Sequence, residues 1–303
     1  MHQDVSFSSG DVTLAGTLWL PAGSGPHPGV VMVGGSGPTD RDNDVLFPPI
    51  RAHLLSAGFA VLSYDKRGVG GSSGNWLTSS YGDLAADAAA AVRLLRSQPQ
   101  VDTAAVGLFG HSEGGWVVLR AAAQIADLAY VVTNSGPGVS LARQDRWATA
   151  NALRADGATP SEIAACEATH DQIMRWAGQG VAFAEMKDVL DADPAYQRII
   201  ACGPALTEDS WEFVKLVHNH DPSADLIRLR CPHLALFGAA ETVVPVAASV
   251  TAFATAACNR PDPGPITMEI FPDADHRIRI GDDFAPGYLA TLTRWLSAAQ
   301  PNR

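Results

Sequence analysis

The chain has 303 residues, 47% of them apolar and 17% charged, and carries a formal charge of −11. That length allows one large domain or a core with an insertion, and the acidic balance argues against nucleic acid or an anionic membrane as partner, because both select basic patches. No apolar run approaches the roughly 18 residues of a membrane span, and the N-terminus lacks the basic start and apolar stretch of a signal peptide, so a cytoplasmic location is expected.

Residues 5–20 alternate polar and apolar around Gly10-Asp11, which predicts an antiparallel hairpin at a sheet edge. After a Pro/Gly loop at 21–28, the run 29–33 is continuously apolar, as a strand buried on both faces should be. A helix is predicted over 50–57, ending at Gly58, and a strand over 59–64. Residues 81–97 form a long Ala-rich helical pattern, 104–109 a short buried strand, and 115–123 the helix that follows it. Further strands are predicted at 129–133, 233–237 and 266–271, and a final amphipathic helix at 288–299. Strands alternating with helices imply an α/β fold with a doubly wound, mostly parallel sheet.

One stretch breaks the rhythm. From 139 to 225 no strand is predicted, only helical patterns rich in Ala, Trp and charge. Such an insertion reads as a helical cap over the C-terminal edge of the sheet, where open α/β folds bind ligands. The expected organisation is a core of residues 1–138 and 226–303 with a cap at 139–225. Cys166, Cys202, Cys231 and Cys258 are widely spaced and form no C-x-x-C pair, so free thiols are expected rather than a metal or redox site.

The chemistry centres on Gly110-His111-Ser112-Glu113-Gly114, a G-x-S-x-G pentapeptide between a predicted strand and a predicted helix. A turn that sharp needs small flanking residues, exposes the serine oxygen above the sheet edge and aims a helix N-terminus at the same spot. A serine hydroxyl is a weak nucleophile until a base takes its proton, so Ser112 needs a histidine with a carboxylate behind it. In a strand-turn-helix site of this kind the chain order is nucleophile, acid, histidine. His276 lies after the last predicted strand and before the last helix, where that histidine should fall. The acid should follow the strand at 233–237, and the carboxylate there is Glu241. Asp273 and Asp275 are near His276 in sequence, but neighbours in one loop seldom face each other. Backbone N–H donors for an oxyanion are expected from Glu113 and from the loop Gly34-Gly35-Ser36-Gly37-Pro38, with Ser36 preferred and Gly35 as the alternative. Trp147, Trp176 and Trp211 are candidates to line an acyl pocket, and packing within the cap explains them equally well.

Three further blocks go with the pentapeptide: Gly35-Ser36-Gly37-Pro38-Thr39-Asp40-Arg41-Asp42, Asp65-Lys66-Arg67-Gly68-Val69-Gly70-Gly71-Ser72, and the segment from Gly238 to Pro245. Together they resemble the α/β-hydrolase superfamily, in particular the bacterial esterases and S33-peptidase-like hydrolases. Those carry G-S-G-P-x-D-R-D, D-x-R-G-x-G-x-S, G-H-S-x-G and G-x-x-D-x-x-V-P. The chain departs from the pattern at Glu241, which replaces the usual aspartate, and in the final G-x-x-H block, where Asp273 stands at the glycine position. The acidic and basic residues of the first two blocks read as loop braces rather than catalytic groups. The resemblance implies a serine hydrolase acting on a small-molecule ester without a cofactor. An aminopeptidase or amidase, thioesterase, lactonase or acyltransferase would use the same residues. A peptidase would add a carboxylate to anchor the substrate amine, for which Glu162, Glu167, Glu185 and Glu208 are candidates. A non-hydrolytic ligand-binding relative is a further alternative.

Overall fold

A computed structural model describes residues 1–261 and 264–300. The alternating N-terminal segment forms β1 (His2–Ser9) and β2 (Val12–Trp19), paired antiparallel around the Gly10-Asp11 turn. The apolar runs form β3 (His27–Val33), β4 (Ala60–Tyr64), β5 (Val101–His111), β6 (Val131–Asn134), β7 (His233–Gly238) and β8 (Ile266–Phe271). They make one eight-stranded sheet in the order β1-β2-β4-β3-β5-β6-β7-β8, parallel from β4 to β8. Successive side chains of a strand face opposite ways, so Val30 and Met32 join one buried cluster while Val31 and Val33 join the other.

Helices cover both faces. On one side lie α1 (Phe47–Ser56) and the C-terminal helix, whose Tyr288, Leu292 and Leu296 are buried against the sheet. On the other lie α2 (Tyr81–Arg96) and α3 (Glu113–Ala122), which bury Leu84, Ala88, Val92, Val117 and Val118. α1 starts three residues before the predicted position, because Pro48 and Pro49 sit in its first turn, where a missing N–H costs nothing and a fixed φ suits the helix.

Between β6 and β7 the chain is helical throughout: α4 (Leu141–Ala155), α5 (Pro160–Gln179), α6 (Phe183–Asp191), α7 (Pro194–Cys202), α8 (Glu208–Val217) and α9 (Ser223–Arg228). The cap expected at 139–225 falls within this helical stretch. It has apolar clusters of its own, one around Ile173, Met186, Tyr196 and Trp211 and another around Leu153 and Cys166. Val217 and Leu226 instead join the core cluster, so the last cap helices are packed onto the sheet domain. After β7 come α10 (Val246–Asn259), a short β9–β10 hairpin (Arg279–Ile280 with Asp283–Phe284) and α11 (Tyr288–Ala298). No helix among the described residues is long and apolar enough to cross a membrane.

Two buried histidines make stability acid-sensitive. His233, fully buried at the start of β7 and bonded to Thr133 Oγ1 at 2.9 Å, is pushed down to about 3 by burial and secondarily by Arg260. His220, held between the Tyr81 and Trp116 rings, is pushed down to about 4 by burial and secondarily by Arg120. The unfolded chain takes up these protons near pH 6.5, while the folded chain does so only near pH 4 and pH 3. Stability is therefore full above pH 6.5 and declines below it, by about 2 kcal/mol per histidine at pH 5. Urea unfolding at pH 7 and pH 5 should show that decline, and His233→Gln and His220→Gln should each flatten it.

Candidate active site

β5 ends at His111 and α3 begins at Glu113, so Ser112 alone makes the turn from strand to helix. Its backbone sits at φ 53°, ψ −122°, a region that side chains rarely adopt and that costs on the order of 1–3 kcal/mol. The flanking glycines are a steric necessity. A Cβ on Gly110 would lie 2.2 Å from the Gly114 carbonyl oxygen, and one on Gly114 would lie 2.5 Å from the carbonyl oxygens of Val33 and Gly34. The turn is held to β6 by the Ser112 N–H, which donates to Asn134 O at 3.0 Å.

The loop after β7 and the loop after β8 are pressed together. Ala240 N–H donates to Ala274 O at 2.8 Å, and a Cβ on Gly238 would lie 2.2 Å from that same oxygen. This brings His276 Nδ1 to 2.6 Å from Glu241 Oε2. The Glu241 side chain is fully enclosed, while that of His276 is 20% exposed. Glu241 Oε1 accepts the Val243 N–H at 2.7 Å, which fixes the carboxylate plane. An ionised carboxylate only accepts, so Nδ1 carries the imidazole proton and Nε2 keeps a free lone pair. Asp275 is turned to its own loop, accepting from the N–H groups of Arg277 and Arg279 at 2.8 and 2.9 Å, and Asp273 is exposed.

The His276 ring lies 5.1 Å, centroid to centroid, from that of His111, the residue before Ser112. Among the described residues Ser112 Oγ makes no hydrogen bond to His276. The contact that would pass the serine proton is thus open here, as such contacts often are before substrate binds. Burial, more than the nearby His276 and Arg277 charges, holds His111 well below the usual histidine range. It is therefore neutral at pH 7, and its Nδ1 accepts from Asn43 Nδ2 at 3.0 Å.

The loop after β3 lies against the serine, with a Cβ on Gly35 reaching within 3.4 Å of Ser112 Cβ. Gly35 itself is excluded as an oxyanion donor in this arrangement, because its N–H is committed to Asn43 Oδ1 at 3.1 Å. The N–H groups of Ser36 and Glu113 donate to no other group among the described residues. For Glu113 this follows from its place in the first turn of α3, where no carbonyl four residues back belongs to the helix.

Asn43 was not singled out in the sequence, and Lys66 was expected only as a loop brace. Asn43, buried at φ 45°, clamps the Gly35 loop to His111 through both ends of its amide; the signal was an Asn in a turn-rich run, since Asn tolerates positive φ. Lys66 is buried, with Nζ 2.9 Å from Glu113 Oε1 and bonded to the Gly35 carbonyl oxygen. The remaining charges of those motifs are braces, as expected: Arg41 grips Asp65 at 2.7 and 3.0 Å, and Arg67 grips Asp87 at 2.5 and 2.8 Å.

The three tryptophans part company. Trp147 of α4 lines an open groove of about 370 Å3 with Arg143, Glu241 and Pro245. Of the two roles open to it, Trp211 takes packing rather than pocket lining: it is wholly buried in an apolar cluster, its indole N–H donating to Val181 O at 2.8 Å. Trp176 packs on the same cluster and lines a groove walled only by cap residues. α4 also ties the cap to the Glu241 loop, since Gln144 Nε2 donates to Val243 O at 2.8 Å.

The sequence model of a family described as X-Pro dipeptidyl-peptidase (S15 family) matches residues 9–257. Esterase EstD of Thermotoga maritima is 36% identical over 116 residues, which is 36% of this chain and 28% of EstD. The chain spans less than half the length of the curated relatives it matches. Among solved structures, the α/β-hydrolase GrgF of Penicillium sp. sh18 superposes with a TM-score of 0.65 at 20% identity, covering 99% of this chain and 98% of GrgF. An esterase of Pyrococcus furiosus superposes with a TM-score of 0.64 at 16% identity, covering 99% of this chain and 92% of its own. At such identities the likeness is one of fold.

Proposed function

The chain belongs to the X-Pro dipeptidyl-peptidase (S15) family, and on that premise we propose that it is a serine hydrolase cleaving carboxylic esters through an acyl-enzyme on Ser112. The observation that carries this reading is the enclosed Glu241 carboxylate 2.6 Å from His276 Nδ1, beside a serine raised on a strained strand-to-helix turn. His276 Nε2 takes the Ser112 proton as Oγ attacks the ester carbonyl, and later returns it to the leaving alcohol. Glu241 holds the required tautomer and stabilises the imidazolium. The N–H groups of Ser36 and Glu113 receive the oxyanion. Water then attacks the acyl-enzyme with the same base. The scheme requires no cofactor.

The family name favours a second reading, cleavage of a peptide or amide after a short N-terminal unit. Such a substrate presents a free ammonium group that needs a carboxylate. Two of the four acidic candidates are committed elsewhere, Glu162 to the N-terminus of α5 at Thr159 and Glu167 to Arg146. Glu185 and Glu208 occupy the first turns of α6 and α8, a common place for helix-stabilising acids. The charged cap residue in the groove beside Glu241 is a cation, Arg143. An uncharged or anionic ester fits those surroundings better than an ammonium-bearing peptide.

The deciding experiment is mass spectrometry of the intact protein after fluorophosphonate treatment, followed by a panel of 4-nitrophenyl esters, thioesters and X-Pro anilides. A single adduct at Ser112 and turnover of the esters is expected. A well-folded protein that takes no adduct would overturn the reading in favour of a ligand-binding relative, and preferential turnover of the anilides would establish the peptidase.

A further inference from the structure

The loop that carries Ser36 has little stiffness of its own, with glycines at 34, 35 and 37. Gly35 C=O and Ser36 N–H belong to one planar peptide unit. Whatever fixes the direction of the carbonyl therefore fixes the direction of the N–H. Lys66 Nζ donates to that carbonyl oxygen and, at 2.9 Å, to the carboxylate of Glu113, whose own backbone N–H is the second free donor. The Tyr81 hydroxyl donates to the other Glu113 oxygen at 3.4 Å, and the Lys66 ammonium faces the Trp76 ring at 5.8 Å.

We propose that Lys66 is a positioning residue for the oxyanion hole, its buried ammonium fastening the Gly35–Ser36 peptide to the head of α3 so that both N–H donors converge above Ser112. This rests on the reading of Ser112 as an acyl-transfer nucleophile. A lysine is seldom buried without a specific partner, and a buried ion pair is a poor stabilising device, since apolar replacements of both partners often serve stability as well. Placement next to the donors, rather than stability, accounts for the pair. A carbonyl that accepts from an ammonium is also polarised, which strengthens the N–H at the far end of the same peptide.

A positioning role acts on the transition state and leaves ground-state binding alone, whereas a purely structural role follows folding. The test compares wild type with Lys66→Met and the double variant Lys66→Met/Glu113→Gln. The readouts are kcat and KM on 4-nitrophenyl butyrate, inhibition by an alkyl trifluoromethyl ketone, and thermal midpoint. Removing one oxyanion donor outright costs about 100- to 1000-fold in kcat, so misaligning one should cost about 10- to 100-fold. Lys66→Met should lose that much kcat with KM within about twofold, and ketone affinity should fall by a similar factor. The double variant leaves no unpaired buried charge, so it should recover the thermal midpoint but not kcat. Recovery of kcat along with stability in the double variant would overturn the proposal, as would a Lys66→Met enzyme with wild-type kcat. A wild type that neither turns over esters nor takes a fluorophosphonate would remove the underlying reading itself, a separate and recognisable failure.

Discussion

Ser112→Ala is expected to lower kcat on short 4-nitrophenyl esters by on the order of a million-fold, to abolish the fluorophosphonate adduct, and to leave the fold intact. The size follows from how a nucleophile and its base act as one unit: removing either forfeits nearly all of the covalent route, and what survives is oxyanion stabilisation of a direct attack by water. His276→Ala should be as severe, and the double variant scarcely worse than either single one. Because the strain at Ser112 resides in its backbone, at φ 53°, a glycine there should fold more easily than serine. Ser112→Gly is accordingly expected to be as inactive as the alanine variant yet to raise stability by about 1 kcal/mol. That opposition of activity and stability is what a strained catalytic turn should show. Steady-state kinetics and urea unfolding on the same preparations measure both. A Ser112→Ala enzyme within a hundredfold of wild type would point to another nucleophile.

What could be read without coordinates depended on how local the determinant was. β3, β4, β6 and β7 announce themselves because a strand buried on both faces is apolar along most of its length, despite the buried Ser63, Thr133 and His233. Ser112 was legible because the glycines at 110 and 114 are demanded by carbonyl oxygens within 2.5 Å of where their Cβ atoms would be. The closeness of His276 to Glu241 was anticipated from chain order, since each loop at the C-terminal sheet edge holds few residues of the required type. α10 was not read: its run of Ala, Val and Thr has no charged face to set a helical period. The β9–β10 hairpin, two residues to a strand, is too short for any alternation to register. Trp211 stayed open between two roles because a large aromatic at helical spacing looks the same in sequence whether it packs among helices or lines a cavity. The burial of Lys66 is a tertiary fact, set by Glu113 from a distant part of the chain, while the engagement of the Gly35 N–H depends on how its own loop folds back to Asn43.

Glu241→Gln is expected to lower kcat by about 1000- to 10,000-fold while KM changes little, and the reason lies in Val243. Its N–H donates to Glu241 Oε1 at 2.7 Å, so a glutamine in that place must turn its carbonyl oxygen to Val243. The amide nitrogen then takes the position of Oε2, facing His276 Nδ1. An NH2 group only donates, so Nδ1 would have to accept, and the imidazole proton would move to Nε2. The ring would then offer Ser112 an N–H where it needs a lone pair. Loss of the carboxylate charge adds to this by leaving the imidazolium of the transition state unsupported, and comparable substitutions behind a catalytic histidine cost about 10,000-fold. Glu241→Asp keeps charge and tautomer but shortens the reach by one methylene, so its loss should be smaller, about 10- to 100-fold. Asp273→Asn and Asp275→Asn should remain within about threefold of wild type, because Asp273 is exposed and Asp275 serves its own turn through an oxygen that asparagine retains. The thermal midpoint distinguishes the tautomer argument from simple misfolding, since a folded Glu241→Gln enzyme should retain the wild-type value despite its loss of rate. An active Glu241→Gln enzyme together with an inactive Asp275→Asn enzyme would transfer the acid's role to the histidine loop and leave the Val243 bond as a purely structural tie.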